Sequence, residues 1–301
     1  MPNPAEYLIS KYYLNSKNNS HATSSHWKKF SKYQTVKTKK ESKIEDLKLS
    51  GYGFGDFKKR TLINLVKNLP TYFYLKNKIY PLCNKNFLKI AFRNSKKSDQ
   101  LMSHDSARMV LTLDLLTKYL PNLNNKKIVI IGDGYARLGT LIKGAFPDSR
   151  IIYINLGRTL LFDLVFSKRC FPQCSLKIVE ANSVPDSDFN FIEAEELSKI
   201  KISGDLFINI ASMQEMNYEQ INQYFKIINS QQNGTYFYCC NREKKVLPDG
   251  SIIEFNKYPW NELQIEMSEP CPWHQEFPMN RPPFKGNVDG LILHSMAKVV
   301  K

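Results

Sequence analysis

Between residues 127 and 156 the chain reads KIVIIGDGYARLGTLIKGAFPDSRIIYINL, and this stretch leaves few folds open. An apolar run, Lys127 to Ile131, enters the glycine turn Gly132-Asp133-Gly134. An amphipathic segment follows, then a second apolar run from Ile151 to Leu156. Strand, tight loop, helix and strand make the repeating unit of a parallel sheet. A glycine loop at that point lets backbone N–H groups approach a nucleoside-like ligand near the positive end of the helix.

The alternation continues downstream. Helices are expected at Leu138–Phe146, Leu160–Phe166, Glu193–Ile200 and Tyr218–Ile228. Strands are expected at Leu176–Val179, Leu206–Ala211 and Thr235–Cys240. Strands separated by helices of this length form a parallel sheet with right-handed crossovers. Ser106 to Leu120 adds a helix before the first strand. The tail changes character: Ile252–Phe255, Leu263–Met267 and Leu291–Val299 read as strands joined by Pro-rich turns. The fold class is α/β, a Rossmann-like seven-stranded, mostly parallel sheet with an antiparallel C-terminal edge and a helical N-terminal extension. The expected division is 1–100, a basic extension and helical cap, and 101–301, the catalytic domain. Residues 1–50 read as polar and loop-like, and GYGFGDF at 51–57 as a turn, because no convincing strand precedes its glycines.

No run approaches the ~18 apolar residues of a spanning helix, and the N-terminus lacks the pattern of a signal peptide. The expected compartment is the cytoplasm. The six cysteines include no CxxC pair. They are expected to be reduced packing residues, with no zinc site. The net charge of +15 suggests nucleic acid, but it follows a Lys-rich bias throughout and no aromatic–basic motif accompanies it. Residues 1–60 nonetheless hold 13 Lys/Arg against five Asp/Glu, which reads either as a plain solvated tail or as a peripheral contact with an anionic surface, such as the inner face of the membrane or a diphosphate-linked substrate.

Four places carry candidate chemistry. A dinucleotide fingerprint needs a third glycine where Arg137 stands, and a bare glycine loop suits S-adenosylmethionine (SAM) better, because SAM has no pyrophosphate. Gly132, Asp133 and Gly134 are the candidate cofactor contacts, with Asn155 at the next strand end, where an acid usually holds the ribose. Ala211 and Ser212 leave the fourth strand beside them, and Glu215 follows as a base, a substrate acceptor or a plain helix-terminal carboxylate. Arg242 ends the fifth strand as a candidate contact for an anionic or hydroxylated substrate. Trp273 and His274, in PCPWHQ, pair an apolar face with an imidazole, which suits a sugar and a proton transfer. No compact acidic motif suggests a metal, so metal-free transfer is expected.

With these pieces assembled, the chain resembles the sugar O-methyltransferase family of bacterial surface-polysaccharide clusters. IIGDGYARLGTLIK, IIYINLGRTLLFD, INIASMQEMN, FYCCNREKKVLPDG, YPW and PCPWHQEF carry the resemblance, over roughly residues 100–295. It implies a class I SAM-dependent methyltransferase fold and methyl transfer to a sugar hydroxyl, on a glycan or a lipid- or nucleotide-linked precursor. Two departures stand out: Asn155 replaces the ribose-binding acid, and Ala136 replaces the third glycine of the loop. His274 is the first candidate base and Glu215 the second, with Arg242 and Trp273 orienting the sugar. The rival readings are an NAD(P)-dependent or nucleotide-sugar-modifying Rossmann enzyme, and an RNA-binding protein or RNA methyltransferase.

Overall fold

A computed structural model describes residues 4–14, 24–30, 33–37, 44–50, 58–279 and 281–301. The GYGFGDF segment and most of the polar run before Trp27 lie outside the described residues. The principal helices are α1 (Pro4–Ile9), α2 (Lys85–Lys97), α3 (His104–Tyr119), α4 (Arg137–Ala145), α5 (Gly157–Cys170) and α6 (Tyr218–Asn229). The principal strands are β1 (Lys127–Ile131), β2 (Arg150–Asn155), β3 (Leu176–Ile178), β4 (Phe189–Glu193), β5 (Leu206–Ile210), β6 (Tyr236–Arg242), β7 (Leu263–Pro270) and β8 (Ile292–Val299).

These strands form one eight-stranded sheet in the order β7-β8-β6-β5-β1-β2-β4-β3. The pairs from β6 to β3 are parallel, and β8 runs antiparallel between β6 and β7. This is a Rossmann-like α/β sheet, with the antiparallel edge that the tail pattern predicts. One correction applies. Seven strands were expected, with a helix from Glu193; the structure places strand β4 at Phe189–Glu193 and only a 3-10 turn at Ala194–Lys199. Asn190 sits buried inside that strand, its amide bonded to the Ile151 and Ser187 carbonyls, and breaks the apolar run that would have announced it.

Strand alternation sorts the apolar residues into two cores, one on each face of the sheet. Ile128, Ile130, Tyr153 and Ile208 meet Leu111, Leu138 and Leu161 from α3, α4 and α5 on one face. Val129, Ile131, Ile154 and Phe207 meet Ile221, Phe225 and Ile228 from α6 on the other. Each such side chain, fully buried, adds about 1.5–3 kcal/mol relative to exposure. Trp260 belongs to the second core, stacked on Phe237 and edge-on to Phe225. Caps fix the helix starts: Ser103 accepts from Ser106 N–H, and Asn217 with Gln220 forms a reciprocal capping box.

The N-terminal segment departs from the loop-like reading where it is described. Ala5, Leu8 and Ile9 of α1, with Tyr12, are buried in the first core. Tyr12 packs against Gly157, where a Cβ would strike its ring, and its hydroxyl meets the buried Glu193 carboxylate, which Lys11 also reaches at 2.7 Å. The segment thus docks at the start of α5, beside the end of β2. Among the described residues, no helix is long and apolar enough to cross a membrane.

Candidate functional site

Strand order reverses beside β1, whose neighbours are β2 on one side and β5 on the other. Open α/β sheets hold ligands in the crevice this makes at the carboxyl ends of the strands. Gly132 leaves β1 at φ 78° and Gly134 follows at 82°, in the left-handed region where glycine is unstrained. A Cβ on Gly132 would also collide with the Ser212 side chain, so the loop and the β5 exit are in direct contact. Ala136 takes φ 51° where the third glycine was expected, a conformation costing a residue with a Cβ about 1–2 kcal/mol. Gly139 carries the close helix–strand contact instead, since a Cβ there would meet the Tyr153 hydroxyl.

Two aspartates hold this loop, Asp163 buried and Asp133 half-buried. The Asp133 carboxylate accepts from the N–H groups of Arg137 (3.0 Å), Leu138 (3.3 Å) and Gly139 (2.9 Å), and so fills the N-terminus of α4. Asp163, on α5, accepts from Ala136 N–H at 2.9 Å, from Gly134 N–H, and from the Asn155 amide at 2.8 Å. Burial, and then the charge of Asp133, push the Asp163 carboxyl well above its usual range. Burial raises Asp133 too, against the N–H groups it accepts from and the nearby Arg137. Asn155 closes the arrangement: its oxygen accepts from Leu156 N–H at 2.9 Å. The residue in the ribose-acid position therefore ties the β2 end to Asp163.

The β5 exit is held by amides. Asn209 Nδ2 donates to Ile131 O at 3.0 Å, and Ser212 Oγ donates to the same carbonyl at 2.9 Å. Asn241 on β6 donates to Asn209 Oδ1 at 2.8 Å and accepts from Gln214 N–H at 3.1 Å. Gln214 in turn accepts from Arg242 N–H at 2.7 Å. Ala211 is pinned at φ 58° within this network.

Two hollows meet at Gly132 and Ser212. The narrower one runs toward β2, α5 and α6, lined by Trp27, Gly134, Ile154, Asn155, Leu197 and Tyr224. The larger, about 500 Å³, lies over β5 and β6, and Asp105, Arg108, Arg137, Glu215, Asn241 and His274 line it. Trp27 borders both. Asp105 bonds Arg108 and lies 3.3 Å from Arg137 Nη1, so two guanidiniums share one carboxylate at the rim. Glu215 is buried between His26 Nε2 (3.3 Å) and Lys245 Nζ (3.5 Å). Burial pushes its carboxyl up to about 7 despite Lys245. Burial, with Lys245 and Lys29, lowers His26 to about 4, so His26 is neutral beside it. His274 Nδ1 lies 3.1 Å from Cys240 Sγ, and burial lowers its pKa.

The crevice thus gathers Gly132, Asp133, Gly134, Asn155, Ala211, Ser212, Glu215 and His274. Arg242 and Trp273 do not line either hollow: the Arg242 guanidinium bonds the Asp289 carbonyl, and the Trp273 ring packs edge-on to His294, 5.3 Å between centroids. Sequence reasoning missed Trp27, Asp105, Arg108 and Asp163. Only Asp163 carries a local signal: it is the one acid in LLFDLVF, on a helix otherwise turned to the core.

No protein-family model matches the chain, and no curated protein matches it. Among solved structures it is similar to mitomycin 7-O-methyltransferase, at 11% identity and TM-score 0.38, covering 71% of this chain and 60% of that one. It is also similar to magnesium protoporphyrin IX methyltransferase from Synechocystis PCC 6803 with bound SAH, at 9% and 0.45, covering 78% and 100%. A SAM dependent methyltransferase from Aquifex aeolicus gives 9% and 0.41, covering 74% and 97%. The fold stands on the sheet order itself.

Proposed function

We propose that the chain is a SAM-dependent O-methyltransferase acting on a sugar hydroxyl of a surface polysaccharide or its precursor. One observation carries the cofactor. The Asp133 carboxylate occupies the N-terminus of α4, where a dinucleotide would seat its pyrophosphate. A carboxylate there repels a diphosphate and tolerates a sulfonium, which argues against the NAD reading. Trp27, Ile154, Leu197 and Tyr224 give the narrower hollow apolar walls for an adenine, and Gly132 and Ser212 mark where the methionine part would pass toward the larger one.

When bound, SAM supplies a methyl group on a sulfonium that departs as a neutral thioether. The chain's part is to place an acceptor oxygen in line and to take its proton. Glu215 is better matched to that task than His274, because a base near 7 is half ionised at neutral pH and still accepts a proton readily. Arg108 and Arg137 offer donors to hydroxyls or phosphate, and Trp27 offers an apolar face in the place foreseen for Trp273. Such a mixture of charge and aromatic surface fits a polyhydroxylated acceptor. Thermal shift tests the cofactor: SAM and SAH are expected to raise the melting temperature and NAD not to, and the opposite pattern defeats the reading. Mass spectrometry of surface glycan tests the acceptor. A strain lacking the gene should lose one methyl mass, and an unchanged glycan excludes the sugar.

The acceptor's setting is proposed to be an anionic membrane surface. Leu62, Ile63, Val66, Leu69 and Phe73, on the short helices Leu62–Lys67 and Leu69–Tyr74, are exposed. Exposed Lys59, Arg60, Lys67, Lys76 and Lys78 flank or interrupt them in sequence. Apolar side chains rimmed by cations suit the headgroup region of an anionic bilayer. The chain is expected to float with phosphatidylglycerol vesicles and not with phosphatidylcholine ones, and Ile63→Asp with Val66→Asp to abolish flotation. Wild-type protein remaining at the bottom of the gradient with both vesicle types would end the idea.

A further inference from the structure

The loop PCPWHQ leaves a cluster that the methyl-transfer reading does not use. Cys271 follows β7, and its N–H donates to Ile292 O at 2.8 Å. A turn returns His274 N–H to Cys271 O at 3.3 Å, while Gln275 Nε2 ties the loop to Cys271 O and Ile292 O at 3.0 and 2.7 Å. Both side chains of this Cys-x-x-His turn thereby meet Cys240 on β6. All three are buried, and Cys240 and His274 also line the larger hollow.

We propose that Cys240, Cys271 and His274 form a zinc site whose fourth position opens to the acceptor hollow. The three ligand atoms lie within 4.8 Å of one another, with His274 Nδ1 and Cys240 Sγ at 3.1 Å. A tetrahedral zinc, with Zn–S about 2.3 Å and Zn–N about 2.0 Å, needs spacings of about 3.3–3.8 Å, which small side-chain rotations supply. Among the described residues, no other group of three such ligands converges in this way. Two thiols and an imidazole select zinc over magnesium or calcium, which prefer oxygen.

The surroundings suit a cation. Cys240, His274 and His294 all lie within hydrogen-bond reach of the Cys271 thiol. His294 is itself held, its Nδ1 3.1 Å from the Tyr238 hydroxyl, in the manner of residues that orient a metal centre from behind. Cys239 points to the opposite core and takes no part. The missing CxxC pair, which led to the expectation of no zinc site, is thus replaced by one strand cysteine and one loop Cys-x-x-His. Three protein ligands and an open side is the pattern of a zinc that polarises a bound hydroxyl or water. That last consequence rests on the methyl-transfer reading; the metal site itself does not.

The test is metal content and cobalt spectroscopy on the full-length protein. Chain purified from zinc-supplemented culture is expected to keep stoichiometric zinc through dialysis. Cobalt exchange should give an intense thiolate-to-cobalt charge-transfer band. Cys271→Ser and His274→Ala should each lose zinc and band, and Cys239→Ser should keep both. Zinc-free wild type with no cobalt band overturns the proposal, without depending on whether a variant folds. So does zinc retained by Cys271→Ser, or a peptide map of the unreduced protein that finds a Cys240–Cys271 disulfide. Thermal shift with SAM on the same samples separates the readings. Zinc without a SAM response sinks methyl transfer alone, and a SAM response without zinc sinks this site alone.

Discussion

Glu215→Gln is expected to lower the methyl-transfer rate about 10²–10⁴-fold, the usual contribution of a positioned base, while the melting-temperature gain with SAM persists. The carboxylate lies at the larger hollow, away from the walls assigned to the adenosine, so its loss removes a proton acceptor and leaves the cofactor's contacts in place. The wild-type rate should rise with pH through about 7, because only the ionised form accepts a proton. In the glutamine variant that inflection should vanish from the residual rate. Stability provides a second check with a definite sign. The folded pKa is raised above the ordinary 4.5, so the native state binds more protons than the unfolded chain between 4.5 and about 7. Stability present below that window is lost as pH rises through it. The glutamine variant should show a flatter decline, whatever its absolute stability without the partner of Lys245. Full turnover by the variant, or an unchanged pH profile, would remove Glu215 from the role.

The centre of the sheet was legible because its strands are buried on both faces and read as apolar runs. KIVII and RIIYIN need no partner information to be recognised. Phe189–Glu193 was not legible, because the buried Asn190 and the adjoining acids AEEL imitate the start of a helix. The loop and the strand exits were readable as site elements because an α/β unit fixes where a strand end must lie, whatever the side chains do. Direction was not readable. Arg242 and Trp273 have suitable chemistry in suitable segments, but a strand-end arginine turns either way, and here the Asp289 carbonyl captures it. Trp27 and Arg108 come from segments about two hundred and about a hundred residues before Glu215, distances that no local spacing can bridge. Asn155 shows a subtler failure. Its position was read correctly as the β2 end, but its task depends on Asp163, eight residues further on.

Asp163→Ala is expected to cost roughly 3 kcal/mol, since it orphans the N–H groups of Gly134 and Ala136 and the amide of Asn155, at about 1–3 kcal/mol for each donor left without water. SAM stabilisation should disappear with it, because the same carboxylate sets the glycine loop against the β2 end. Asp163→Asn is the more informative change. Its oxygen can still serve Ala136, but its NH₂ then faces the NH₂ of Asn155. Turning Asn155 over would satisfy that pair only by taking the acceptor from Leu156 N–H. The single variant should therefore lose about 1 kcal/mol, one hydrogen bond's worth. Asn155→Asp added to it restores the pairing with donor and acceptor exchanged. The carboxylate then at position 155 would accept from the amide at position 163 and from Leu156 N–H together. The double variant should recover stability that Asn155→Asp alone, which sets two carboxylates face to face, must lose. Denaturant unfolding of the four proteins measures the coupling. Additive losses would mean that the two side chains do not act as a pair, and that the β2 end is held by something other than Asp163.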